Sequence, residues 1–592
     1  MTNQEMVHTD VLVIGGGGAA FRAAIAARDM GMRTLLVSKG PLARCGATPM
    51  AGADFTLDGK TLNQMGFPGE PKDSPEAFFD DIVYQGFHLN NQKLLEQYVS
   101  SAPGRLQELL DWGIKPKNTE ERAVYTTGLK IIDVLHRRAS SGGVTFLDDL
   151  MMLDLIVRDG QVFGAVGLEV KSGRFICISA KSVVIATGGW HKAFWPTTGS
   201  RDLSGDGIAM ASRAGAQVGN MEFVTFACPI LLAPPYCQGS LATYIMILTG
   251  GGRLINKEGE EFLKKYDPLV ADKGTHMEWN KLFLSIASAI EIRQGLGSPL
   301  GGVYYDHGDV PWPLFEAEVT SSIPNWKYKA LDLKPLAELM RQGGSLEVGG
   351  VAEYFGGGIA VNTSFETNVA GLFAAGECAL GPFGANRVCS AITEMLVQGT
   401  DAGTNAAGYA LECDQKYPTI DELHSIILPA EQIVERKGGL QPAVIRREVQ
   451  MKAHQYLGPV RNKKELEVLL ASLKSIKNEK MSEIAPSSTQ RIYNKEWIDI
   501  LELNNMILLL ECSARSALMR TESRGVHYRE DHPYTDNDTW LKESIVTVDG
   551  ENLVIDFRNP TVTTLQPEKG ITPYFDMLKK MMVAHSEIGG HH

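Results

Sequence analysis

The sequence predicts an α/β fold built around a parallel sheet, and three stretches predict it. Residues 9–22 read TDVLVIGGGGAAFR, residues 181–189 read KSVVIATGG, and residues 368–379 read NVAGLFAAGECA. Each carries a short apolar run that ends in a glycine turn. The first continues into FRAAIAARDMG, which has helical periodicity, and then into a second apolar run, RTLLVSK (33–39). Strand, turn, helix and strand in that order make a βαβ unit with a Rossmann-like turn.

In the first turn Gly15 permits the tight bend, Gly17 lets a diphosphate approach the backbone, and Ala20 allows close helix–strand packing. Gly18 and Ala19 lie between them, where phosphates would meet the positive helix N-terminus. Many nucleotide folds place an acid for the ribose at the end of the second strand, but Ser38 and Lys39 stand there. The later strands end in Ala186-Thr187-Gly188-Gly189 and in Gly376-Glu377. Such returns of the chain to the nucleotide fold are typical of two-domain flavoproteins rather than nicotinamide dehydrogenases, so the expected cofactor is FAD.

The bulk numbers fit this picture. A chain of 592 residues is too long for one core, which implies two to four domains. With 44% hydrophobic and 21% charged residues it reads as an ordinary globular protein. The net charge of −13 argues against a nucleic-acid surface. No apolar run reaches the roughly 18 residues of a membrane span, and the N-terminus shows no secretory signal, so a cytoplasmic location is expected. The eight cysteines are scattered without a C-x-x-C, which suits reduced thiols and offers no iron–sulfur ligand set. No metal site is expected, and the closing GGHH reads as a solvated tail.

On these motifs the chain resembles the flavoprotein subunits of the succinate dehydrogenase/fumarate reductase family, a superfamily that includes aspartate oxidase and the alpha subunit of adenylylsulfate reductase. The likeness covers nearly the whole chain. It includes SKGPLARCGATPMAGA, SGDGIAMASRAGAQVGNMEFV, GGGRLINKEGEEFLKKYDP, GLFAAGECALGPFGANR and the specific RTESRGVHYREDHPYTDNDTWLK. The resemblance implies an FAD-binding domain made of residues 1–240 and 345–415. It adds an inserted α+β capping domain at 240–345, a helical domain at 416–545 and a tail at 546–592. Helical apolar periods in DELHSIILPAEQIVERK, KKELEVLLASLKSIKNE and EWIDILELNNMILLLECSARSALM fit this independently.

The family pattern places the FAD diphosphate at Gly15 to Ala20 and the adenosine side near Ser38, Lys39 and Asp206. Glu377 would bind the ribitol. The helix start at Ile392 and Thr393 would face the flavin pyrimidine. Arg44, Cys45, Gly46, Ala47 and Gly52 belong to the same cofactor segment. Many fumarate reductases attach FAD covalently through a histidine in the segment matching RCGAT. Gly46 stands there, so FAD is expected to be held non-covalently. Family precedent also implies a ferredoxin-like iron–sulfur partner subunit.

The dicarboxylate site departs from the family. Ala227 and Cys228 follow EFVTF where a histidine is expected, and Tyr244 and Ile245 replace a polar pair. Lys281 stands at the proton-donating arginine, Glu353 at another histidine, and Phe383 at a third position where histidine is expected. Arg387 alone is unchanged, so the catalytic candidates are Arg387, Lys281 and Glu353. Each also has a plainer reading: Arg387 paired with a core carboxylate, Lys281 as a solvated helix lysine, Glu353 outside the pocket. Trp190 and His191 fit a packed aromatic and a satisfied histidine better than substrate ligands, and Cys228 and Tyr236 are weaker still.

The expected activity is hydride transfer between FAD and an organic substrate other than fumarate or succinate. Two alternatives stand beside it: an adenylylsulfate-reductase-like subunit, and a flavin electron relay that turns over no small molecule.

Overall fold

The computed structural model describes residues 4–51, 54–240, 252–267, 281–308, 310–314, 317, 334–387, 390–550 and 552–588. Gly52, Tyr244, Ile245 and the closing histidines lie outside them.

The nucleotide-binding half begins with strand β1 (Val11–Ile14), whose four residues are all buried. Gly17 then caps helix α1 (Gly18–Asp29), an alanine-rich helix that suits close packing. Strand β2 (Thr34–Val37) follows, with β3 (Thr145–Leu147) and β4 (Ser182–Ile185) further along. Helix α2 (Asp206–Arg213) precedes the long strand β5 (Val224–Leu231).

The chain then enters the cap. Strand β6 (Arg253–Ile255), helix α3 (Lys281–Glu291) and strand β7 (Val303–Asp306) belong to it. The ten-residue strand β8 (Leu346–Phe355) brings the chain back. The cap sheet has the order β5-β8-β7-β6, with every pair antiparallel. Its outer ribbon, β5 with β8, runs from Val224 opposite Phe355 to Leu231 opposite Val348. Two irregularities, at Thr225/Phe226 and Ala227/Ile230, interrupt the ladder. Both strands of this ribbon lie outside 240–345, in the segments expected for the FAD-binding domain, yet they share one sheet with β6 and β7 and so tie the cap to the nucleotide domain.

Strand β9 (Leu372–Ala374) closes the parallel sheet in the order β9-β4-β1-β2-β3. The sheet predicted from the three glycine-ended runs is thus formed by those runs. Helix α4 (Ala391–Glu412) then lies against α1. A Cβ at Gly399 would come 2.7 Å from the Ala19 carbonyl oxygen, and one at Gly403 would collide with that of Ala23. Glycine at both positions lets the helix backbones touch.

Helices α5 (Ile420–Glu435), α6 (Pro442–Tyr456), α7 (Lys463–Ser475) and α8 (Lys495–Met519) make the helical domain. Thr419 and Glu422 cap α5 reciprocally, which satisfies two N–H groups that the helix itself cannot. Helix α6 has no counterpart among the sequence-predicted helices. Its charged PAVIRREVQMKAHQY run hides the apolar stripe of Ile445, Val449 and Ala453.

Residues after 545, read from the sequence as a tail, are built into the fold. Strands β10 (Glu543–Asp549) and β11 (Asn552–Arg558) form a hairpin, and Val546 and Ile545 pair with Val218 and Gly219. Helix α9 (Tyr574–Ile588) buries Tyr574 and Leu578 in a core shared with α3 and the cap sheet. Among the described residues no helix is long and apolar enough to cross a membrane.

A buried ionic centre joins these parts. Arg520 Nε donates to Glu222 Oε1 at 2.7 Å, with both side chains fully enclosed. Ser544 Oγ donates to the other Glu222 oxygen at 2.6 Å, and Arg461 reaches the Glu222 carbonyl at 2.6 Å. Glu222→Gln removes one of two carboxylates facing Arg520, whose other partner Glu522 stays at 3.0 Å, and is expected to cost roughly 1–3 kcal/mol, read as a lowered unfolding midpoint. The exposed Glu338–Arg341 pair is the control; Glu338→Ala should shift the midpoint by less than about 1 kcal/mol.

Candidate active site

The phosphate loop is shaped for close backbone approach. Gly15 has φ of +145°, and a Cβ there would run into the Ala186 carbonyl oxygen. Gly18 N donates to Thr48 Oγ1 at 3.1 Å, while a Cβ on Gly18 would strike Met395 of α4. Ala19 lies against Gly376, whose own Cβ would be 2.9 Å away, and Ala20 is buried beside Gly15. This is a cradle without side chains at a helix N-terminus, which fits a diphosphate.

Around it, Ser38 Oγ lies 3.1 Å from Cys45 Sγ. Burial raises the Cys45 thiol pKa, which fits a small packed residue rather than a reactive thiolate. Gly46 has φ of +77° and donates its N–H to Asp202 at 2.5 Å, a backbone state that a histidine would adopt only with strain. Ala47 caps the short turn Thr48–Met50. Arg44 points to the exposed Asp133 at 2.7 Å.

On the side expected for adenosine, Lys39 and Asp206 meet each other. Lys39 Nζ lies 2.7 Å from Asp206 and 2.9 Å from Glu502 of α8. Burial pulls the ammonium pKa down, but these two carboxylates outweigh it and leave it raised. Glu502 is opposed by burial, yet Lys39 and Lys192 hold it down to about 2. The helical domain thus supplies a carboxylate to this edge of the nucleotide fold.

The remaining cofactor residues converge from the other segment. Glu377 is largely buried, accepting from Gly189 N at 3.1 Å and Phe355 N at 3.4 Å and lying close to Gly188 in the β4 turn, while Thr187 of that turn meets the neighbouring Cys378. Burial, reinforced by the charges of Glu394 and Glu353, raises its pKa to about 8. At neutral pH it is mainly a neutral acid, able both to donate to and accept from a polyol hydroxyl. Ser390 Oγ accepts from the N–H groups of Ile392 and Thr393 at 3.0 and 3.3 Å, so the α4 N-terminus is capped from within. Thr393 Oγ1 also accepts from Thr56 N at 2.9 Å.

The three catalytic candidates gather on one strand end. Lys281 Nζ of α3 lies 3.1 Å from Glu353 Oε2, with both side chains largely buried. Arg387, on the next layer, stacks its guanidinium 3.5 Å from the centre of the Tyr354 ring and 5.0 Å from that of Phe383. It forms a buried ion pair with Glu394 of α4. Tyr354 donates to the same carboxylate at 3.1 Å, and Gln398 Nε2 donates to its other oxygen at 2.9 Å.

Trp190 packs 4.4 Å from Phe355, and His191 Nε2 donates to the Glu353 carbonyl oxygen at 2.6 Å. Burial holds the His191 pKa near 4, so it is neutral; it is bonded through Nε2, while its buried Nδ1 has no hydrogen-bond partner among the described residues, so the satisfied histidine expected is met only in part. Ala227 sits in an apolar cluster, Cys228 is buried against Ser288, and Tyr236 is about half exposed.

The motifs alone do not single out Glu394, Tyr354 and Gln398. The available signal is the spacing of Glu394 and Gln398, four residues apart in the apolar run AITEMLVQG, which puts two polar groups on one buried helix face.

A side-chain-free phosphate cradle, a buried ribityl-type acid and a cap sheet over a charged corner define an FAD-dependent oxidoreductase. Comparison with known proteins agrees. A model of the FAD binding domain matches residues 10–126 and 118–392, and one of the fumarate reductase flavoprotein C-terminus matches 446–571. The chain belongs to the fumarate reductase/succinate dehydrogenase flavoprotein family.

It is 31% identical over 552 residues to one subunit of the CoM/CoB fumarate reductase of Methanothermobacter marburgensis, covering 90% of this chain and 96% of that one. The structure of quinol fumarate reductase from Escherichia coli superposes with a TM-score of 0.82 at 25% identity, over 96% of this chain and 99% of the other. Adenylylsulfate reductase from Archaeoglobus fulgidus shares the fold alone, with a TM-score of 0.75 at 19% identity over 96% and 98% of the chains.

Glu377 has a pH consequence. Its folded pKa of about 8 lies above the ordinary 4.5, so the native state binds the extra proton. The associated stability is complete below about pH 4.5 and is lost as pH rises through about 8. Thermal melts of the flavin-free protein should fall across that window, and Glu377→Gln should flatten the fall.

Proposed function

We propose that the chain is the flavoprotein subunit of a redox assembly that moves hydride between FAD and an organic substrate other than fumarate or succinate. The observation that carries this reading is the Lys281–Glu353 ion pair at 3.1 Å. The residues that replace two polar positions of the family pattern are matched to each other. With Arg387 likewise matched by Glu394, the two cations of the corner face two carboxylates. Among the described residues of this corner a dicarboxylate would find no uncompensated charge and would forgo charge-assisted hydrogen bonds worth roughly 1.5–3 kcal/mol each.

Bound FAD supplies two-electron hydride chemistry at its N5 atom. The residues of the chain then have separable parts. Arg387, fixed between two rings, presents N–H groups to a substrate oxygen. Lys281 holds a proton at Nζ beside Glu353, where it can be passed to a carbon and replaced. The cap sheet limits water at the reacting centre.

Gly46, where a histidine would be needed, supports non-covalent FAD. The scattered cysteines support an iron–sulfur partner, since this chain has no grouped set of its own. Acid precipitation of the purified protein should release all flavin into the supernatant. Yellow colour left in the pellet would overturn the non-covalent reading.

The activity is tested by photoreducing the protein anaerobically and following flavin reoxidation. The acceptors are fumarate, monocarboxylic enoates, enoyl thioesters and a sulfur oxyanion ester. Reoxidation by one acceptor other than fumarate is expected, slowed at least ~100-fold in Arg387→Ala with FAD retained. Turnover with fumarate at ordinary enzymatic rates overturns the proposal. Reoxidation by an electron carrier alone would favour the relay.

A further inference from the structure

The geometry points to Glu394 as the residue that sets substrate charge at this site, acting through Arg387. It selects α,β-unsaturated carbonyl compounds with at most one free carboxylate. The inference rests on the reading of Arg387 as substrate-facing.

Arg387 and Glu394 are both almost completely enclosed, and their ion pair is fixed from several sides. Tyr354 stacks on the guanidinium and donates its hydroxyl to the carboxylate at 3.1 Å. Gln398 donates to the second carboxylate oxygen at 2.9 Å and accepts from Gly376 N at 2.8 Å, at the start of the Glu377 turn. Glu394 therefore has defined donors on both oxygens and cannot swing away to release a bare arginine.

The pair changes what Arg387 can bind. A guanidinium has five N–H groups, so one ion pair cancels its charge without using every donor. A substrate carboxylate would approach an arginine already neutralised by Glu394. Glu353 is likewise matched by Lys281 at 3.1 Å, so the second cation of the corner offers a carboxylate no free charge either. A carbonyl oxygen brings no charge in the ground state and still receives the N–H. As hydride adds to the β-carbon the double-bond electrons move onto that oxygen, and the growing enolate charge is met by the same donors before a proton reaches the α-carbon. Bound reduced flavin would supply the hydride, and Lys281, held at Nζ beside Glu353, would supply the proton. The selection thus favours enones, enoyl thioesters and simple enoates over dianions.

The test uses the flavin-loaded protein and malonate, a non-reducible dicarboxylate, read as a change in the flavin visible spectrum. Wild type is expected to respond weakly to malonate. Glu394→Gln, close in shape, and Glu394→Leu, which needs no hydrogen-bond partner, should each bind it at least ~10-fold more tightly. Glu394→Asp keeps the charge and should show no gain, and Arg387→Met combined with Glu394→Gln should lose the gain. Unchanged malonate binding in flavin-retaining Glu394→Gln or Glu394→Leu overturns the proposal. Loss of flavin from both also overturns it, because Glu394 would then hold the corner together rather than select the substrate. Should wild type turn over fumarate, the broader functional reading fails. Should it reject fumarate while the variants gain nothing, only the assignment of Glu394 fails.

Discussion

The crossing of α1 and α4 at Gly399 and Gly403 is the contact on which the site depends, because it joins two remote segments without side chains between them. At that separation the phosphate loop at the head of α1 and the Gly376–Gln398 corner at the head of α4 share one space. A methyl group at either glycine would push the helices apart. The Met395–Gly18 contact, the Gly376–Ala19 contact and the position of Glu394 would shift with them. Packed interiors transmit such displacements rather than absorb them.

A second level of order is charge matching at buried positions. Lys39 with Asp206 and Glu502, Arg520 with Glu222, and Lys281 with Glu353 each bring together distant parts of the chain, and Arg387 with Glu394 ties a loop to the helix that follows it. The first two sit in the frame and hold domains together. The last two sit in the corner that chemistry would use. Buried pairs add little net stability compared with apolar substitutes, but removing one partner is costly, so they fix geometry strongly. The same device that locks the frame makes the corner electrically neutral.

The parallel sheet was legible because β1, β4 and β9 announce themselves as apolar runs ending in glycine, a backbone requirement that sequence displays directly. Helices α5, α7 and α8 were legible from their periodicity. The built-in character of residues 546–588 was not, because β10 pairs with Val218 and Gly219 across a separation that no local pattern encodes. At the corner, the candidates Arg387, Lys281 and Glu353 could be named from their positions. Their partnership could not, since the Lys281–Glu353 pair depends on how α3 packs over β8. Glu394 escaped notice because an acid in an apolar helix reads as a surface residue until its depth is known.

Strand β8 ends in three consecutive residues that face three different neighbours. Glu353 meets Lys281, the Tyr354 ring and hydroxyl meet Arg387 and Glu394, and the Phe355 N–H meets Glu377. The irregularities in the β5–β8 ladder set which residue occupies which place. One residue inserted on the cap side would move Glu353 to the place of Tyr354 and Ala352 to the place of Glu353. Arg387 would then face two carboxylates and Lys281 none, with no side chain in the corner replaced. Strand register thus sets the charge a ligand meets, and a one-residue slip of β8 would retune this site as effectively as a substitution within it.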